Sequence, residues 1–282
     1  MPDPEPLRAS AIVIGDEILA GFVQDTNSGW LAQRLQAHGV PLERVTTVPD
    51  AFGAIDEALV TELARARPRL VVTSGGIGST PDDLTMAAIA RHLGIGLVVE
   101  PSLDERITAA VQRSAQRGAP VAPEHEEAMR TMALVPDGAY LLGGTPGIAA
   151  GVAVDVDGGS RAGGATIVVL PGIPSEFRRI TTTSVEPELL DGRGRPEHVV
   201  ELAHPYPESM LNPVLERLVT DYPDVHVGSY PGVECTVRLR GAADRVEAAA
   251  RVVRAAVADL AEARGSEELR RSWQAHWTGD TG

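Results

Sequence analysis

The chain has 282 residues, 43% of them hydrophobic and 4% aromatic, with a formal net charge of −14; this length buries a full core and leaves room for a second, smaller domain. The acidic balance repels nucleic acid and anionic membrane and gives no long-range pull on a phosphorylated substrate, so local groups must hold any such ligand. A single cysteine, Cys235, excludes an internal disulfide framework, no apolar run reaches membrane-spanning length, and the opening MPDPEPLRAS lacks the basic and apolar regions of a signal peptide, which predicts a soluble cytoplasmic protein.

Residues 9–14 read as a short apolar strand that stops at Gly15-Asp16-Glu17. A polar loop over 21–26 precedes a helix over 27–38, with Leu31 and Leu35 on its inner face and Gly39 ending it. A strand over 40–48 ends near Asp50, and Ile55, Leu59 and Leu63 at spacing four predict a helix over 54–66. Strands that alternate with helices predict a parallel sheet covered on both faces.

The next stretch, VVTSGGIGSTPDDLT (71–85), carries the clearest chemistry. The run Leu70-Val71-Val72 reads as a buried strand that ends in a loop of little side-chain bulk at Gly75, Gly76 and Gly78. Thr80 reads as an N-cap and Pro81 as the first helical residue, with Met86, Ile89, Ala90 and Leu93 following at helical spacing. A strand, a glycine loop and a helix N-terminus together present unpaired N–H groups to an anion, commonly a phosphate. Asp82 and Asp83, in the same first turn, would repel a bare phosphate, because two unit charges about 4 Å apart interact by about 1 kcal/mol in water and about 4 kcal/mol at an effective dielectric of 20. The pair therefore predicts a bridging Mg²⁺-type cation; the plain alternative is that both acids only complement a helix dipole.

Helices are expected over 101–117 and around 126–132, separated by a proline-broken loop at 120–125. A strand over 132–136 leads into the glycine-rich 143–151, where Gly144-Thr145-Pro146-Gly147 reads as a turn, and the hydrophilic 155–164 reads as a hairpin or flexible loop. A buried strand over 166–170 ends in Pro171-Gly172-Ile173-Pro174-Ser175-Glu176, in which Ser175 suits a helix cap and Glu176 adds a carboxylate. The cluster DGRGRP, within 187–196, marks a domain boundary. Beyond it the pattern restarts as strand 198–203, helix 207–220, strands 225–229 and 233–240, and helix 243–263, a small α+β domain. A polar tail, 264–282, carries Trp273 and Trp277 at spacing four and reads as a helical end or a partner contact. Cys235, flanked by Val233, Glu234, Thr236 and Val237, reads as an ordinary strand residue.

Gly15-Asp16-Glu17, Asp50 and the Gly75 loop all fall at carboxyl ends of strands, where open α/β sheets place their ligands. That convergence of acids on one edge argues for a site more strongly than any one acid, whose alternative is a solvated turn. The seven histidines form no ligand-spaced pair or triad-like motif, so histidine-based catalysis is not expected.

The combination GDEILAGFVQDTN (15–27), Asp50, GGIGSTPDDLT (75–85), MALVP (132–136), PGIPSEF (171–177) and HVGSYP (226–231) resembles the competence/damage-inducible CinA family, whose first part is a molybdopterin-binding-like domain related to the MoaB/Mog enzymes. The resemblance implies a three-layer α/β/α domain with a mostly parallel sheet over 1–190, a small KH-like α+β domain over 196–263, and the tail 264–282. It implies a divalent-metal-dependent pyrophosphatase that splits ADP-ribose into AMP and ribose 5-phosphate. The alternatives are a pterin-binding molybdenum cofactor protein without hydrolase activity and a non-catalytic regulatory or scaffold protein. Carried over motif by motif, Asp16, Glu17, Asp82 and Asp83 become metal ligands, with Mg²⁺ or a similar ion as cofactor. Gly15, Asp25, Asn27, Gly75, Gly76, Gly78, Ser79, Thr80, Thr85 and Ser175 become phosphate or ligand contacts, with the loop amides from Gly75 to Thr80 as the cradle. Asp50, Asp83 and Glu176 become the catalytic candidates. Ser79 stands where many relatives carry proline, and LLGGTPG (141–147) replaces a usual asparagine-containing stretch. The family's separate amidohydrolase domain has no counterpart in these residues, so deamidation is not expected. No Gly-x-x-Gly clamp occurs between Pro207 and Leu218, so the second domain reads as a packing or dimerisation module of a homo-oligomer, with no nucleic-acid and no membrane partner.

Overall fold

Apolar residues on both sides of the central strands set the layering of this chain, for which a computed structural model describes residues 5–143, 147–263 and 265–278. Strand β1 (Arg8–Ile14) runs through a four-residue helix, α1 (Asp16–Leu19), into α2 (Asn27–Ala37); β2 (Leu42–Val48), α3 (Phe52–Leu63) and β3 (Arg69–Ser74) follow. Then come α4 (Thr85–Leu93), β4 (Leu97–Val99), α5 (Pro101–Gln116), α6 (Pro123–Thr131) and β5 (Leu134–Pro136). The first unit is completed by β6 (Tyr140–Leu141), β7 (Val152–Val156), β8 (Ala165–Leu170), α7 (Pro174–Ile180) and a π-helical segment, Thr181–Leu190.

The main sheet has the order β2-β1-β3-β8-β7-β6, parallel from β2 to β8 and antiparallel from there to β6. Side chains alternate across it as the pleat requires. Ile12, Val71, Ile167 and Val169 pack with Ile55, Leu59, Ile89 and Leu103 of α3, α4 and α5. Ala11, Leu70, Val72 and Val168 face the other way, against Leu31 and Leu35 of α2 and Phe177 and Ile180 of α7. Each such valine, leucine, isoleucine or phenylalanine side chain, fully removed from water, contributes about 1.5–3 kcal/mol. This is the three-layer α/β/α arrangement with a mostly parallel sheet that the strand–helix alternation predicts.

Several local expectations give way. The helix after the glycine loop starts at Thr85, not at Thr80-Pro81, because residues 80–83 close a turn of their own. The short β4 and β7 carry no sequence expectation; β4 pairs with β5 apart from the main sheet, and β7 makes the 155–164 segment a hairpin turn into β8. The turn expected at Gly144-Thr145-Pro146 lies outside the described residues. Residues 187–190 do not form a linker; they lie in the π-helical segment, which Arg34 anchors by a two-pronged hydrogen bond to Glu186 at 2.7 and 2.6 Å. The chain divides into its two compact units after Pro196.

The second unit contains β9 (His198–His204), α8 (Asn212–Asp221), β10 (His226–Tyr230), β11 (Cys235–Gly241), α9 (Ala243–Glu262) and α10 (Ser266–Thr278). Its antiparallel sheet, in the order β10-β11-β9, buries Val237 and Leu239 against Leu218, Val246 and Val253. The α10 residue Trp273 donates Nε1–H to the Gly232 carbonyl at 3.0 Å, a contact within the unit.

At the amino-terminal edge of the main sheet the strands are pinned by charge. Arg69, 0% exposed at the start of β3, donates to Ser10 Oγ at 2.6 Å and to Glu43 on β2, while Ser10 donates to Glu62 of α3. Burial alone would raise the Glu43 carboxyl, but hydrogen bonds from Arg69, Arg8 and Arg65 hold it down at about 2. A carboxyl with a lowered folded-state pKa stabilises above its ordinary 4.5 and loses that contribution as pH falls through about 2. Glu43→Gln is therefore expected to cost about 1 kcal/mol near neutral pH, after allowance for solvent screening, and to match the parent chain near pH 2; urea unfolding at the two pH values measures the difference.

Candidate functional site

Because β1, β2, β3 and β8 run parallel, the segments that follow them meet on one edge. They can meet closely only because side chains are missing there. A Cβ on Gly75, at φ +106°, would lie 2.2 Å from the Ile14 carbonyl oxygen, and one on Gly76, at φ +65°, 2.3 Å from Thr85 Oγ1. Both the left-handed backbone and the contact require glycine. Asn27, 5% exposed at the start of α2, ties the seam together by donating Nδ2–H to Ser74 Oγ at 3.1 Å and to the Gly172 carbonyl at 2.9 Å.

Over this seam opens a hollow of about 370 Å³. Of the residues expected from sequence, Gly15, Glu17, Asp50, Gly75, Gly76, Gly78, Asp82, Asp83 and Glu176 line it. Asp16 stands beside it, its amide donating to Asp50 Oδ2 at 2.8 Å. Burial pushes the Asp50 carboxyl up; the Asp16 amide opposes this, and the charges of Asp16, Glu17 and Asp82 push it up further. Acids from three separate loops therefore act on one another at this rim. Residues that sequence reasoning missed, among them Ile77, Gly172, Ile173 and Met132, also line the hollow. The signal for Gly172 and Ile173 was their place directly after a buried strand, on the same edge as the Gly75 loop.

Other expected site residues do different work. The Asp83 carboxylate accepts from the Gly78 amide at 2.6 Å, the Thr80 amide at 2.8 Å and the Thr80 hydroxyl at 2.6 Å, so it closes the 78–83 turn instead of standing ready as a metal ligand or catalytic acid. The same bonds remove two amides from the expected phosphate cradle, and the Gly75 amide donates to the Leu170 carbonyl at 3.1 Å. Of the loop residues expected to form the cradle, Gly76 and Ile77 line the hollow and their amides make no backbone hydrogen bond, which leaves them available to an anion. Asp25 accepts from the amides of Asn27 and Ser28 at 2.9 and 3.1 Å and so caps α2. Thr85, 0% exposed, donates its hydroxyl to the Gly75 carbonyl at 2.9 Å, and like Asn27 it shapes the loop from behind. Ser79, Thr80 and Ser175 lie outside the lining of the hollow.

Among the described residues, no three Asp, Glu, His or Cys side chains gather closely enough to cage a metal ion. The donor set fits a different arrangement. Mg²⁺ keeps several waters and takes one or two carboxylates together with phosphate oxygens, and the mutual repulsion felt at Asp50 is what a shared cation would relieve. No helix among the described residues is long and apolar enough to cross a membrane.

Residues 10–191 match a family described as "Probable molybdopterin binding domain". A protein of Pyrobaculum calidifontis is 35% identical over 235 residues, which cover 82% of this chain and 84% of that one. A CinA-like protein of Mycobacterium sp. (strain JLS) is 37% identical over 238 residues, 83% of this chain and 53% of its own, so the chain spans about half of that relative's length. Among solved structures, the protein CinA with unknown function from Thermoplasma acidophilum is 28% identical, with 64% of this chain and 96% of that chain covered at a TM-score of 0.52.

Two expectations follow from the roles of the rim acids. Asp83→Ala strands the Gly78 and Thr80 amides and is expected to cost about 1–2 kcal/mol in urea unfolding, while Asp82→Ala, which removes an exposed carboxylate, stays within about 0.5 kcal/mol. A carboxyl with a raised folded-state pKa costs stability as pH climbs from its ordinary 3.8 through the raised value. Asp50→Asn keeps an oxygen for the Asp16 amide and loses the charge, so in the presence of a chelator it is expected to melt about 2 °C higher than the parent at neutral pH and at the same temperature below about pH 4.

Proposed function

From a chain that belongs to the CinA family, with a MoaB/Mog-like molybdopterin-binding domain as its first part, we propose a divalent-metal-dependent hydrolase that splits a nucleoside diphosphate compound such as ADP-ribose into AMP and ribose 5-phosphate. The observation that carries this reading is the pairing, in one hollow, of the Gly76 and Ile77 amides with acids from three loops. Amides alone would suit any anion. Acids alone would repel a diphosphate. Together they suit a phosphorylated ligand that arrives with its counter-cation.

Glu17 and Asp82, which both line the hollow, would hold the cation together with retained waters, and it would supply charge neutralisation on the diphosphate oxygens. The chain's own groups do the rest. Gly76 and Ile77 hold a non-bridging oxygen through their N–H groups. Asp50 is fixed through Oδ2 by the Asp16 amide and uses its second oxygen to take a proton from the attacking water. Glu176, which enters the same hollow from α7, orients that water. As the water oxygen bonds to one phosphorus, the bond from that phosphorus to the bridging oxygen breaks, and the bridging oxygen leaves on the other phosphate with the electron pair.

A second reading is favoured by the family match over residues 10–191: the same hollow binds a phosphorylated pterin and performs no hydrolysis. Incubation with ADP-ribose and Mg²⁺, Mn²⁺ or Co²⁺, with a chelated control, is expected to yield AMP and ribose 5-phosphate only in the presence of metal. Asp50→Asn and Glu176→Gln are each expected to lower kcat by about 100-fold without loss of melting temperature. Absence of AMP with every metal, together with tight binding of a phosphorylated pterin, would replace the first reading by the second.

A further inference from the structure

One strand of the first unit is left with a bare edge. On one side β4 pairs with β5 in the register Leu97↔Pro136, Val98↔Val135 and Val99↔Leu134, and among the described residues no further strand joins this two-stranded sheet. The bonds that flank the ladder fix the direction of its backbone groups. The Asp137 amide donates to the Gly96 carbonyl at 2.9 Å, and the Glu100 amide to the Ala133 carbonyl at 2.8 Å. Bonded and non-bonded pairs alternate along an antiparallel ladder, so Val98 exchanges its bonds with Val135, and the N–H and C=O groups of Leu97 and Val99 point to the open side. Pro136, which has no N–H to give, stands opposite Leu97, at a non-bonded position as this alternation requires.

Both faces of this edge are apolar and wet. Leu97, Val98 and Val99 are 38, 41 and 56% exposed; side chains alternate along a strand, so Leu97 and Val99 share one face and Val98 takes the other. Folded chains guard open edges with charge, proline or a bulge. At the rim of the main sheet β2 carries Glu43 and Arg44, and at the rim of the small one β9 carries Glu201. From Leu93 to Val99 there is no charged residue. Glu100, the nearest acid in sequence, is engaged in capping α5, where it accepts from the Leu103 amide at 2.8 Å and the Ser102 hydroxyl at 2.9 Å.

We propose that β4 is the pairing edge of a twofold dimer, its occupant the same strand of a second copy laid antiparallel. The edge is self-complementary. With Val98 opposite the partner's Val98, Leu97 exchanges backbone bonds with the partner's Val99, and Val99 with the partner's Leu97, so every open group of the strand is used. Ile95, whose amide already donates to the Ala90 carbonyl, and Pro101, which has no N–H, end the pairing on either side. Two ribbons thereby become one four-stranded sheet, β5-β4-β4-β5. Any extended segment could take the backbone bonds, but a second copy brings an edge of matching length, apolar on both faces and ended by the same two stops. Chains with a formal charge of −14 repel one another at long range, and an uncharged run is where two of them can meet.

Sedimentation equilibrium of the whole chain tests the proposal. The parent is expected to form a weak, concentration-dependent dimer, as an edge of this size implies. Val99→Pro removes an N–H that β5 does not use and deletes two of the four bonds between copies, so it should weaken dimerisation by about 100-fold, whereas Val99→Ala keeps the bonds and should weaken it by no more than about tenfold. Val98→Lys and Val98→Glu leave the backbone ladder to β5 intact, so they decide the matter even where Val99→Pro fails to fold. Each sets like charges face to face at the centre of the pair and should be monomeric, and an equimolar mixture of the two should recover the dimer. A parent chain that stays monomeric at about 0.5 mM, whether its edge is open or suited to a strand of another protein, would overturn the proposal. So would a dimer that survives Val98→Lys, or a mixture of the two charged variants that remains monomeric.

Discussion

The carboxyl edge of the first unit depends on a backbone approach that no side chain would allow. Gly75 brings the end of β3 against the Ile14 carbonyl, and Gly172 brings the segment after β8 within 3.4 Å of the Gly75 Cα, measured from where its own Cβ would be. With these strand ends drawn together, Asn27 can bridge Ser74 and Gly172, and Thr85 can reach back to Gly75. The acids then follow as passengers: Glu17, Asp50, Asp82 and Glu176 reach one hollow because the loops that bear them have nowhere else to end. At the opposite edge Arg69 holds β1, β2 and β3 by hydrogen bonds and charge, so the two ends of the sheet are secured by different physics.

Electrostatics gives the hollow its meaning. A chain with a formal charge of −14 has no shortage of acids, and most of them sit at the surface where their interactions are weak. Asp50 differs because burial and three neighbouring acids all penalise its ionisation. Groups kept in mutual repulsion at a concave site are the usual mark of a place arranged for binding at the expense of stability. The amides of Gly76 and Ile77 add the complementary half, fixed donors that reorganise little when an anion arrives.

Much of the layering was legible because it rests on periodicity. Leu31 and Leu35, or Ile55 and Leu59, can face a sheet only from a helix, and Leu70-Val71-Val72 before three glycines could only be a buried strand with an open end. The functional assignments were legible at the level of loops and less so at the level of atoms. Thr80-Pro81 carries the signature of a helix start, yet Asp83 folds back onto the Gly78 and Thr80 amides and forms a closed turn from the residues that would have capped a helix. A carboxylate three residues after a threonine looks the same on paper in either case. Asp25 shows the same ambiguity: its position before Asn27 suits a ligand contact and a helix cap equally, and its carboxylate accepts from the first amides of α2. The strands β4 and β7 are short and lie beside glycine-rich segments, so their pairing is decided by tertiary neighbours and not by local pattern.

The interlocking of the strand ends bears on how fast a ligand can be captured. The loops are tied to one another by the close approach at Gly75 and by the hydrogen bonds of Asn27 and Thr85, with no ligand needed to hold them together. Entry is then governed by diffusion through the field of an acidic surface, which slows the approach of a dianion. Raising the ionic strength shortens the reach of that field. Salt, which usually hinders the meeting of a protein with a phosphorylated molecule, should here hasten it.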